Sequence, residues 1–161
     1  MPVVEEKQAR PEMAGLMEAL LNGDTYSSLQ AAGELAKIGA PAVDPLVQVL
    51  SDSGTHSRWS VAMALARVGS PAVEALIEAM KTEHDPVRNP AVWALAEIGD
   101  SRAVEPLIAV MRSGGSECCR ALTAAALLKI GHPAGVAAVR EDLRTADDVF
   151  REMVSEATRD L

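Results

Sequence analysis

The chain has 161 residues, 48% of them apolar but only 2% aromatic, and its 23 acids against 15 bases leave a formal charge of −8. Strand-forming β-branched and aromatic residues are too thin for a sandwich or barrel, so the Ala- and Leu-rich composition predicts an all-α domain. A phosphate-binding surface relies on clustered Lys and Arg, so nucleic acid is not the expected partner. No run approaches the ~20 apolar residues that cross a bilayer, so no membrane is expected either.

Met1 to Arg10 carries Glu5, Glu6 and Lys7, lacks the basic-then-apolar plan of a signal peptide, and is expected to be a flexible N-terminus. The expected location is therefore cytoplasmic. A single domain is predicted over 11–161. Leu16 and Leu20 fall 30 residues before Leu46 and Leu50, so residues 11–22 are predicted to be a lone capping helix.

Four repeat units follow, around 24–53, 54–84, 85–115 and 116–145. Each carries an Ile-Gly or Val-Gly pair, with glycines at Gly39, Gly69, Gly99 and Gly131, spaced 30, 30 and 32 residues apart. A period in that range means stacked copies of one supersecondary unit. The fourth residue before each glycine is Leu35, Leu65, Leu95 or Leu127. The eighth is Ala31, Val61, Ala91 or Thr123, and the first is Ile38, Val68, Ile98 or Ile130. Together these make one buried stripe on a helix.

After each glycine, Leu46, Leu76, Leu107 and Val139 correspond, as do Leu50, Met80, Met111 and Leu143. Each pair is four residues apart on one helical face. The glycines are expected to end the first helix in the left-handed conformation, with Pro41, Pro71 and Pro133 opening the second. Asp24, Asp52, Asp85 and Ser116 fall in the return turns, where they can supply N-caps or turns. Residues 147–160, with Val149, Phe150, Met153 and Val154, are predicted to be a second lone capping helix.

These residues carry a family resemblance. The run Asp85-Pro86-Val87-Arg88 through Ala91, Ala94-Leu95, Ile98-Gly99-Asp100 and Arg102 to Ile108 resembles the HEAT repeat of the phycobilisome-lyase-like type. Arg58 and Arg120 match Arg88, whereas Ser28 departs, and Pro45 repeats Pro106. The resemblance covers roughly residues 11 to 160. It implies a right-handed alpha-alpha superhelix, a HEAT-like solenoid of four helix hairpins with half-repeat caps and about ten helices. The motif residues are packing, capping and turn residues, so they do not specify a task.

Chemistry is sparse. His56, His84 and His132 sit in turns and none is followed by Glu, so the His-Glu pairs of HEAT-type di-iron enzymes are missing. Cys118 and Cys119 lack the further ligands that zinc wants. Gly114-Gly115-Ser116 has no following Lys to reach a phosphate. No catalytic residue, cofactor site or metal site is predicted, and the protein is not expected to be an enzyme.

Positions two, six, nine and ten before each glycine escape the packing stripe. In proteins with this repeat, the resemblance implies, such positions form the binding face. Both tryptophans fall in this set, and Trp and Met are favoured interface anchors. The candidate partner-binding residues are therefore Trp59, Ser60, Met63, Arg67, Asn89, Trp93 and Glu97, with Arg67 and Glu97 as a polar rim. The expected function is a protein-protein interaction module, with self-association into a homodimer as one form of it. A tetrapyrrole (bilin) lyase-like subunit or chaperone, with the tryptophans as stacking walls, is the alternative that the resemblance implies.

Overall fold

Strong helix formers (Ala, Leu, Glu, Lys and Arg) are abundant in the sequence, and the apolar stripe gives each helix a face to bury. The computed structural model describes residues 3–52, 54–113 and 115–161, with side chains from residue 12 onward except at 55 and 56. Among the described residues there are ten α-helices and no strand. They are α1 (Val3–Asn22), α2 (Thr25–Ile38), α3 (Val43–Asp52), α4 (Thr55–Val68), α5 (Val73–Met80), α6 (Asp85–Ile98), α7 (Val104–Arg112), α8 (Glu117–Ile130), α9 (Pro133–Thr145) and α10 (Asp148–Ala157).

The helices form two compact units, Met1–Ala72 and Val73–Leu161, where one domain over 11–161 was expected. In the first unit α2 and α4 lie side by side, α1 packs on both, and α3 packs on α4. In the second, α6 and α8 lie side by side, α5 packs on α6, and α7, α9 and α10 pack on α8. Each unit is a stack of helices of the alpha-solenoid class.

The stripe read from the sequence forms the interior. Leu35, Leu46, Leu50 and Leu65 are fully buried in the first unit, as are Leu76, Met80, Leu107, Met111 and Leu127 in the second. Each such side chain contributes about 1.5–3 kcal/mol relative to leaving it in water. Thr123 sits in the stripe without penalty because its hydroxyl donates to the Cys119 carbonyl at 2.7 Å. Ile38, Val68, Ile98 and Ile130, at the rim of the stripe, are only half-buried.

Three expectations are corrected. The first capping helix begins at Val3 rather than Pro11, so residues 3–10 are helical. Asp52 caps nothing; it ends α3, and Gly54 holds the cap position of α4. Likewise His84, not Asp85, occupies the cap position of α6. Asp24 and Ser116 do cap, accepting from Ser27 N at 2.8 Å and Cys119 N at 3.1 Å.

The glycines divide into two kinds. Gly99 (φ 72°, ψ 20°) and Gly131 (φ 73°, ψ 12°) are left-handed as expected. Gly39 (φ 75°, ψ −133°) and Gly69 (φ 81°, ψ −135°) are not. The reason lies one residue on. After Gly99 and Gly131, Asp100 and His132 serve as separate caps for the next turn. After Gly39 and Gly69 a 3-10 turn begins at once, Ala40–Ala42 or Ser70–Ala72, so one residue must make the whole reversal. Only glycine tolerates positive φ with extended ψ.

Candidate functional site

A repeated clamp holds α2, α4, α6 and α10 each onto the helix before it. Arg58 Nε donates to the Leu50 carbonyl at 3.2 Å, Arg88 Nε to Met80 at 3.2 Å, and Arg151 Nε to Leu143 at 2.9 Å. In every case the acceptor lies eight residues earlier, among the last-turn carbonyls that a helix leaves unpaired. Ser28, which departs from the arginine pattern in sequence, does the same work: its hydroxyl donates to the Leu20 carbonyl at 3.0 Å. Arg88 adds the Thr82 carbonyl at 2.7 Å and faces Asp85 at 3.8 Å. Asp85 in turn accepts from the Ser116 hydroxyl at 2.5 Å. Gly115 lies at φ 120°, which side chains rarely adopt, and a Cβ there would stand 2.9 Å from Arg88 Nη1.

Arg88 also lies 4.0 Å from the buried Cys119 sulfur. Burial pushes the Cys119 thiol above its ordinary value, and the neighbouring guanidinium offsets this only in part. A protonated, buried thiol is a poor nucleophile. Cys118 is exposed and both cysteines are free. His132 accepts from Ala134 N at 3.3 Å as a helix cap, and His84 is exposed at the start of α6. The His56 side chain lies outside the described residues. Among the described residues no group of His, Cys, Asp and Glu is arranged to hold a metal. No helix of the described residues is long and apolar enough to cross a membrane.

The partner-binding candidates divide between the two units. In the first, Trp59 is 43% exposed and Leu29 40%. Ser60 and Met63, one turn apart on α4, line a cavity of about 340 Å³ with Leu29 and Ser28 of α2 and Leu20 and Leu21 of α1. Arg67, on the same face, is exposed, and its Nη1 donates to the Leu29 carbonyl at 2.9 Å, tying α4 to α2. It is thus engaged within the fold and does more than stand at a rim.

In the second unit, Trp93 and Glu97 of α6 line a smaller cavity of about 150 Å³ with Leu122, Ala125 and Lys129 of α8. Glu97 is ion-paired to Lys129 across its mouth. Asn89 is not part of this cavity. It is half-buried, and its Oδ1 is sealed without a hydrogen-bond partner among the described residues. Pro90 and Ala121, grouped in sequence with the open positions, are buried as well. The sequence placed Leu20 in the repeat as a packing residue and did not assign Leu21 of α1 or Ala157 and Leu161 after α8 to this face, because these three lie outside the repeat register. The arginines eleven residues before Gly69 and Gly99 were the visible signal for the clamp.

A family model for HEAT repeats matches the chain over residues 13–96, 45–128 and 73–159. No curated protein matches it.

Proposed function

Because the chain belongs to the HEAT-repeat family, we propose that it is a non-catalytic protein-interaction module that binds its partner through the first-helix faces of its repeats. The observation that carries this reading is where the concavities fall. Each unit has one on this face, the first lined by Leu29, Ser60 and Met63 and the second by Trp93, Leu122 and Ala125. Trp59 adds an exposed aromatic anchor to the first. Large aromatics and methionines beside shallow apolar depressions supply the buried centre of an interface, and flanking charges supply its rim.

The test is capture from a lysate on immobilised protein, with the retained proteins identified by mass spectrometry. Trp59→Ala combined with Met63→Ala should lose the retained partner while the far-ultraviolet circular dichroism stays helical. Glu78→Ala combined with Lys81→Ala, on the exposed side of α5, should retain it. Equal capture by all three proteins contradicts the assignment. Sedimentation of the pure protein distinguishes a second copy as the partner from a different chain.

The motif from Asp85 to Ile108 supports a finer assignment, to the phycobilisome-lyase-like type of the repeat, and the free thiols of Cys118 and Cys119 support a reducing, cytoplasmic setting. A bilin titration followed by absorbance tests whether the task extends to tetrapyrroles; a saturable spectral shift would replace the interaction reading by the lyase-like one.

A further inference from the structure

The second unit holds a larger concavity on another side, where the C-terminal turns of α7 and α9 meet the first turns of α8 and α10. It measures about 850 Å³ and is lined by residues that include Arg112, Glu117, Arg120, Asp147 and Phe150. Small-molecule sites fall in the range of about 300–1,000 Å³.

Arg120 is the feature that sets this cavity apart. Arg58, Arg88 and Arg151 spend their Nε on a carbonyl eight residues back. Arg120 stands at the matching place before Gly131, yet it makes no such bond. The register explains why: Met80 to the buried Val87 spans seven residues, whereas Met111 to the buried Cys119 spans eight. The added residue extends α7 to Arg112, so Arg120 stands nine residues after Met111 where Arg88 stands eight after Met80, and the guanidinium does not meet the carbonyl.

The released guanidinium lies 4.5 Å over the ring of Phe150 instead. Phe150 is buried at 1% exposure, so the ring is a fixed platform. Among the described residues the Arg120 guanidinium has no hydrogen-bond acceptor and no carboxylate partner. A planar fork of donors, stacked on an aromatic face and half-buried, is preorganised for a two-oxygen acceptor.

The other charges narrow the ligand. Arg112 is already paired with Asp142 at 3.1 Å. Asp147 accepts from Phe150 N at 2.8 Å as the cap of α10. Glu117 is exposed one turn before Arg120. The lining therefore holds two cations, Arg112 and Arg120, against three carboxylates, Glu117, Asp142 and Asp147. A doubly charged phosphate meets net repulsion there, whereas a single carboxylate accompanied by a cationic group is matched on both sides.

We propose that this cavity binds a small zwitterion of the amino-acid or short-peptide class, its carboxylate on the Arg120 fork and its ammonium facing Glu117 and Asp147. The test uses protein labelled with nitrogen-15, following the arginine Nε–H resonances during titration with glycylglycine, acetate, ethylamine and inorganic phosphate at constant ionic strength. Glycylglycine should shift the Arg120 signal saturably and bind more tightly than acetate or ethylamine. In Arg120→Gln, glycylglycine should bind roughly tenfold more weakly, read from backbone amides of α8 and α10. Arg120→Lys, which keeps the charge but loses the fork, should fall between. Glu117→Gln should weaken glycylglycine and strengthen acetate. Thermal melts of each variant establish that it is folded. The proposal is overturned if phosphate binds as well as glycylglycine, if no probe saturates, or if a folded Arg120→Gln binds like wild type.

Discussion

At the scale of single residues, the positive-φ glycines that mark the repeat are not equivalent. Gly39 and Gly69 combine positive φ with extended ψ, while Gly99 is left-handed. Gly39→Ala should therefore cost about 1–3 kcal/mol in urea denaturation. Gly99→Asn should cost under about 1 kcal/mol, because asparagine tolerates the left-handed region. Equal losses would mean that the two turns share one conformation. The glycine period was plain in the sequence, but the difference between its members was not. It depends on whether the next residue is itself a cap, as Asp100 and His132 are, or already part of a turn, as Ala40 is. The sequence left open whether Trp59 is exposed or packed between repeats, and its exposure, the half-burial of Asn89 and the burial of Pro90 all depend on neighbours that periodicity does not name.

Between elements, the clamp ties α2, α4, α6 and α10 to their predecessors. Arg88 is the most enclosed of the set and serves two carbonyls and Asp85 at once. Arg88→Met fills similar space but leaves those groups unpaired, and should cost about 3 kcal/mol by chemical denaturation. Ser28→Ala, which strands one half-buried carbonyl, should cost about 1 kcal/mol. A smaller loss for Arg88→Met than for Ser28→Ala would contradict the assigned roles. The helices and their buried stripes were legible because a 3.6-residue period fixes which side chains face inward. The clamp was half legible: the arginines stood out, but Ser28 looked like a departure. Only the shared acceptor position, eight residues back, reveals the common role. Arg120 shows the converse, a matching residue released by one added residue in the preceding turn.

For the whole molecule, exposed charge sets a modest response to acid. The hydrogen bond from Ser27 holds the Asp24 carboxyl below its ordinary value of 3.8, and Arg102 does the same for Asp100. A depressed folded value means that the stability these groups add is present above the unfolded value and is lost as pH falls through the folded one. Melting temperature should thus decline as pH drops below about 4, and Asp24→Asn should shrink that decline. Because both groups are exposed, added salt should flatten it further. A melting temperature that rises on acidification would contradict the assignment. The all-α repeat architecture could be read from the sequence end to end. The division into two compact units could not, since Gly69 and the turn after it look like any other repeat junction.

The central claim is that the first-helix faces engage a protein partner. Hydroxyl-radical footprinting of the protein alone and with its captured partner tests it most directly, since tryptophan and methionine report at the places in question. Oxidation of Trp59 and Met63 should fall sharply in the complex, while Met153 on α10 keeps its rate. Unchanged oxidation of Trp59 and Met63, with protection appearing elsewhere on the chain, would contradict the account.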